Sequence, residues 1–170
     1  MGMTRIHRRS VLAGLCGISV IPPFANAAEE YVDLEWTDLV PKGQVIIPQE
    51  IQELTQHSQS TPRGKQPQST GVRSDWNGQT VRLRGFIVPI DYSGTGVTAF
   101  ILVPFVGACV HVPPPPANQL VFVTTETPYE SSGLYEPVNV TGMFGTASTT
   151  TQLAEIAYAL SADRIEPYGD

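Results

Sequence analysis

Two side chains able to do soft-metal or nucleophile chemistry stand two residues apart in GACVHVPPPPANQ, residues Gly107 to Gln119: a thiol at Cys109 and an imidazole at His111. On extended backbone, residues i and i+2 share a face. Both groups would then address one ion while Val110 and Val112 face away. Zn(II) accepts thiolate and imidazole, and thiolate also suits Cu(I). A closed zinc site takes four ligands and a catalytic one usually three plus water. The remaining ligands would come from Asp91, Glu126, Glu130 or Glu136, from water, from His57, or from a second chain. The plain alternative is that Cys109 is core and His111 simply hydrogen-bonded, because free cysteine is among the most buried residue types. A Cys–His nucleophile is a third alternative. It needs a group orienting the imidazole, and no Asn or Asp signature for that role lies nearby. The chain has no phosphate loop, no H-E-x-x-H and no G-x-S-x-G, so a non-enzyme is expected.

The residues behind the pair are as informative. Pro113 to Pro116 fix φ at four successive positions and remove four N–H donors. They predict a polyproline II rod of about 12 Å, at ~3.1 Å per residue. Proline also keeps Val112 out of helix, and the stiff run lowers the entropy lost on folding. The amides of Asn118 and Gln119 are expected to tie the rod's carbonyls back to the rest of the fold. A pre-extended proline segment is itself a good docking element. That gives a second function of a different class: an interaction module of the cell envelope that holds no metal.

The first 27 residues have the layout of an export signal: Arg5, Arg8 and Arg9, an apolar run from Val11 to Ile21, and small residues at Ala25 and Ala27. His7-Arg8-Arg9-Ser10-Val11-Leu12 resembles the twin-arginine signature. The apolar run is shorter than the ~20 residues of a membrane span. Cleavage after Ala27 would leave 143 of 170 residues, periplasmic or secreted, with no transmembrane span. It would remove three of the chain's 10 basic residues and none of its 16 acids, leaving a formal charge of 7 minus 16, or −9. That sign disfavours nucleic acid and anionic membrane surfaces and is compatible with cation binding. Cys16 leaves with the signal, so Cys109 is a lone thiol with no internal disulfide partner.

Composition divides the rest into an N-terminal extension (28–54), a linker (55–74) and a β domain (75–170). In the extension, Tyr31, Trp36, Leu39 and Ile46 are candidate anchors, and Pro41 and Pro48 forbid one long helix. Residues 55–74 are rich in Gln, Ser, Thr, Pro and Gly and almost lack apolar residues. Such a segment buries too little surface to offset its ordering entropy, so a flexible linker is expected, with His57 solvated in it. From Asp75 the texture is β. Asn77-Gly78 signals a turn with positive φ. QTVRLRGFIVPI alternates, and Gly85 marks a bulge or bend. VTAFILV, QLVFVTTE, EPVNVTGMFGTA and EIAYALSADRIEPY supply four more strands, the last by its period of two. Five short strands without helical crossovers predict an all-β fold, a small five-stranded antiparallel barrel like those that bind oligonucleotides and oligosaccharides. A β-sandwich is the runner-up.

Four blocks carry a family resemblance: W-x-D-L-V-P at Trp36–Pro41, W-N-G-Q-x-V-R-L-x-G-F-I-V-P at Trp76–Pro89, C-V-H-V-P-P-P-P-A-N-Q at Cys109–Gln119, and A-D-R-I-E-P-Y at Ala162–Tyr168. Together they resemble the bacterial exported family called domain of unknown function 3299. The resemblance implies an exported protein, and for some members a gene beside transporter components in zinc-responsive clusters. It therefore favours Cys109 and His111 as metal ligands, zinc as the ion, and an envelope transporter component as the partner. Many members carry lipoprotein signals, and here Leu15 precedes Cys16 where a lipid-attachment box takes a small residue.

Overall fold

A computed structural model describes residues 30–43, 66–109 and 114–168. The expected signal, His57, Ile46 and His111 lie outside the described residues. Six strands form one sheet: β1 (Val32–Leu34), β2 (Thr80–Ser93), β3 (Gly96–Val103), β4 (Val121–Tyr129), β5 (Pro137–Thr150) and β6 (Glu155–Pro167). The order β1-β2-β3-β4-β6-β5 closes through a further β2–β5 pairing. The barrel is thus β2-β3-β4-β6-β5, the all-β, five-stranded, oligonucleotide/oligosaccharide-binding-like architecture the strand count predicted.

One part of that expectation needs correcting: the barrel is mixed, not antiparallel. Four closing pairings are antiparallel, but β4 and β6 run parallel, with Val121 opposite Tyr158 and Val123 opposite Leu160. Parity requires this. Strand directions cannot alternate around a closed ring with an odd number of members, so at least one neighbouring pair must agree. β1 adds a second parallel pairing, along the start of β2.

Alternation decides what lies inside. Val81, Leu83 and Ile87 of β2 point inward with Phe100 and Leu102 of β3, Val121 and Val123 of β4, Val138, Val140 and Phe144 of β5, and Tyr158 and Leu160 of β6. The rings of Phe144 and Tyr158 stack at 5.1 Å. Leu34 and Leu39 of the extension complete this core.

β2 changes partner part-way along. Thr80–Phe86 pairs with β5 and Phe86–Ser93 with β3. Gly85 sits at the change without the bulge expected of it, staying in register with Val138. A Cβ there would lie 2.7 Å from Leu102 Cγ and 2.8 Å from the Val103 carbonyl, so glycine is needed for close strand approach. The register shifts fall elsewhere, around Asp91 in β2 and at Thr141/Gly142 and Thr146/Thr149 in β5–β6. At the DWNG turn only Gly78 takes positive φ. Asn77 works through its side chain instead, accepting from the Thr146 N–H at 2.8 Å and donating to Thr146 Oγ1 at 3.0 Å.

The extension is built onto this barrel. Trp36 Nε1 donates to the Arg84 carbonyl at 2.7 Å, and the Tyr31 ring lies under the Arg82 guanidinium. Residues 66–74, which composition places in the linker, are held by polar bonds. The Gln66 amide donates to the Pro115 and Glu155 carbonyls and accepts from the Glu155 N–H, each at 2.8 Å. Asn118 Nδ2 donates to the Gly71 carbonyl at 2.8 Å. The Tyr158 hydroxyl, fully buried, accepts from the Arg73 N–H and donates to the Leu39 carbonyl, both at 2.7 Å. One barrel residue therefore fastens both segments outside the barrel.

Candidate functional site

The loop from Pro104 to Leu120 joins β3 to β4 and carries Cys109. It leaves β3 through Phe105 and lies against a second apolar cluster on the outside of the barrel. That cluster contains Val88, Ile101, Val103, Ala108, Leu120, Ala154 and Ile156, with Phe86, Phe105, Cys109, Phe122 and Tyr135 packed on it. The thiol is half-buried there. Burial pushes it up to about 11, so at neutral pH it is protonated, opposite to the state a thiolate nucleophile needs.

The backbone at Cys109 is left-handed, with φ 67°. The premise of extended backbone through this residue does not hold, and strand alternation does not relate it to its neighbours. Residues 110–113, His111 among them, lie outside the described residues. A non-glycine residue in this region carries strain of about 1–2 kcal/mol. Among the described residues only one other non-glycine residue has positive φ: Tyr135, at 63°. The two meet. The Tyr135 hydroxyl donates to the Ala108 carbonyl at 2.9 Å, and burial first, then the charge of a Cys109 thiolate, raise the phenol above its usual range. Tyr135 has no sequence signature, since nothing in GLYEP marks a left-handed tyrosine; only the adjacent glycine and proline hint at irregular backbone.

The proline run ends as expected for polyproline II, with Pro116 at φ −52°, ψ 149°. Its tie to the fold differs from the expectation. The Pro115 carbonyl is taken by Gln66, whereas Gln119 Nε2 donates to the Trp36 carbonyl at 2.9 Å and Asn118 to Gly71. The two amides fasten the extension and residues 66–74, not the rod.

The four candidate carboxylates are dispersed. Asp91 accepts from its neighbour's N–H, Glu130 from Thr95, and Glu136 from Tyr129, Ser131 and the Ser132 N–H. Glu126 is exposed on β4. Among the described residues no three His, Cys, Asp or Glu side chains come together. The described residues thus offer a metal one soft ligand, Cys109.

A family model described as "Protein of unknown function (DUF3299)" matches residues 36–167. The chain belongs to the DUF3299 family. A solved crystal structure of a DUF3299 family protein from Pseudomonas aeruginosa PAO1 is similar at 33% identity, with a TM-score of 0.68 over 83% of this chain and 98% of that one. No curated protein matches the sequence. The DUF3299 match spans the Cys109–Gln119 block and all five barrel strands. No helix among the described residues is long and apolar enough to cross a membrane.

Proposed function

We propose that this DUF3299 chain is an exported accessory protein that binds a transition-metal ion, zinc foremost, through Cys109 and His111, and serves metal handling or transport in the envelope. The observation that carries the reading is that Cys109 and Tyr135, the two left-handed non-glycine residues among those described, pack on one apolar cluster, with the Tyr135 hydroxyl on the carbonyl next to Cys109. Such strain persists where surrounding structure over-determines it and concentrates at ligand clamps and switch regions. When bound, the ion would act as a Lewis acid held by thiolate and imidazole. Two protein ligands leave coordination positions open, which suits transfer of an ion between carriers better than storage.

The burial that protonates the thiol sets the pH behaviour. Metal binding displaces that proton, so with the thiol at about 11 apparent affinity rises about tenfold per pH unit below that value. Zinc titration of tag-free protein between pH 7 and 9 checks the slope. The decisive measurement is metal content of tag-free protein beside Cys109→Ser and His111→Ala. Loss of metal in both variants is expected. Equal content in all three ends the proposal.

A further inference from the structure

Barrels of this topology take oligonucleotides and oligosaccharides on the outer face of their second and third strands, framed by the loops between strands one and two and between strands four and five. In this chain those strands are β3 and β4, and the second loop is Thr151–Ala154. Phe100 and Leu102 of β3 and Val121 and Val123 of β4 point into the barrel, so alternation turns Ile101, Val103 and Phe122 outward. Their register builds continuous rows across three strands: Val88–Ile101–Phe122, and Phe86–Val103 beside it. Outward-facing Ile101 and Val103 are nevertheless 0% exposed. Phe105, Ala108 and Cys109 of the β3–β4 loop and Tyr135 of the β4–β5 connection lie on these rows, and Ala154 joins them from the β5–β6 connection. The cover is closed by the Tyr135 hydroxyl on the Ala108 carbonyl. What stays exposed farther along β4 is Thr124, Glu126, Thr127 and Pro128, which bring no positive charge to a phosphate backbone.

We infer that the ligand face of this barrel is filled by the chain's own 105–109 segment, latched by Tyr135, so that neither a single-stranded nucleic acid nor an extended glycan binds there and the loop, not the sheet, is the surface the protein presents. This holds whether or not Cys109 binds metal. Cys109, half-buried on the same cluster, is a built-in reporter, because its alkylation should quicken when the cover loosens.

The test pairs two measurements on the full mature chain. Alkylation of Cys109 by iodoacetamide at pH 8, with Cys109→Ser as blank, is expected to be slower in the folded chain than in the urea-unfolded chain. It should accelerate about fivefold in Tyr135→Phe, which loses one hydrogen bond, while far-UV circular dichroism stays unchanged. Equal rates in the two proteins would overturn the latch. Independently of any variant's folding, a short fluorescein-labelled oligothymidylate and a labelled chitooligosaccharide are titrated at low ionic strength. Absence of saturable binding supports the filled face. Binding that Phe122→Asp abolishes overturns it, and binding that survives Phe122→Asp places the ligand elsewhere and upholds it.

Discussion

The inside of this barrel and the patch of its outside under the β3–β4 loop are both apolar, yet they are built by different rules. Inside, residues two apart on five strands converge, and each inward position is fixed by the register of its neighbours. Outside, the cluster under the β3–β4 loop rests on irregular backbone, with Gly107, Cys109, Gly133 and Tyr135 all at positive φ. The interior gains from periodicity. The cover depends on local strain held by a few contacts. A small barrel thus keeps a regular frame and places the one thiol among the described residues where the backbone departs from that frame.

The contrast is broken most severely from within. Leu83→Ala, at a fully buried inward position, should cost about 3 kcal/mol, measured by urea unfolding. A loss below about 1 kcal/mol would mean the interior is no better packed than the cover.

The cover is probed by alkali. The folded protein holds the Cys109 thiol protonated up to about 11, whereas an unfolded cysteine ionises near 8.5. Its folded value is raised, so its contribution is complete below the unfolded value and is lost as pH climbs through about 11. Between pH 8 and 11 the native chain should lose about 2 kcal/mol more than Cys109→Ser. The comparison with that variant separates the thiol from Tyr129 and Tyr135, which burial also raises. Parallel curves for the two proteins would show the thiol to be solvated.

The smallest effect belongs to the straps that hold residues 66–74. Asn118→Ala removes one bond to the Gly71 carbonyl and should cost about 1 kcal/mol by the same urea measurement. No change would mean water replaces the amide without loss.

The sequence carried the frame well, because a two-residue period interrupted by glycine and proline is a direct image of half-buried strands. Val81 and Leu83 against Arg82 and Arg84 located β2, and Ile156, Tyr158 and Leu160 located β6. An odd strand count demands one parallel pair in a closed ring, but it does not say that the pair is β4–β6. Residues 66–74 read as linker because composition measures apolar burial. Their anchors are amides and a phenol bonded to carbonyls and an N–H, which leave no hydrophobic trace. The backbone at Cys109 and Tyr135 was illegible for a related reason: neither side chain prefers left-handed geometry, and only tertiary contacts hold them there. The CVHVPPPPANQ block falls on the β3–β4 loop, and the extended-chain geometry expected of it does not hold at Cys109.

The Tyr158 hydroxyl has a practical consequence for anyone choosing where to start a recombinant fragment. A chain begun at Asp75 would contain every barrel strand yet delete Leu39 and Arg73, the two partners of that phenol. The same cut would take Leu34 and Leu39 out of the core, so a fragment that keeps these contacts begins upstream of β1.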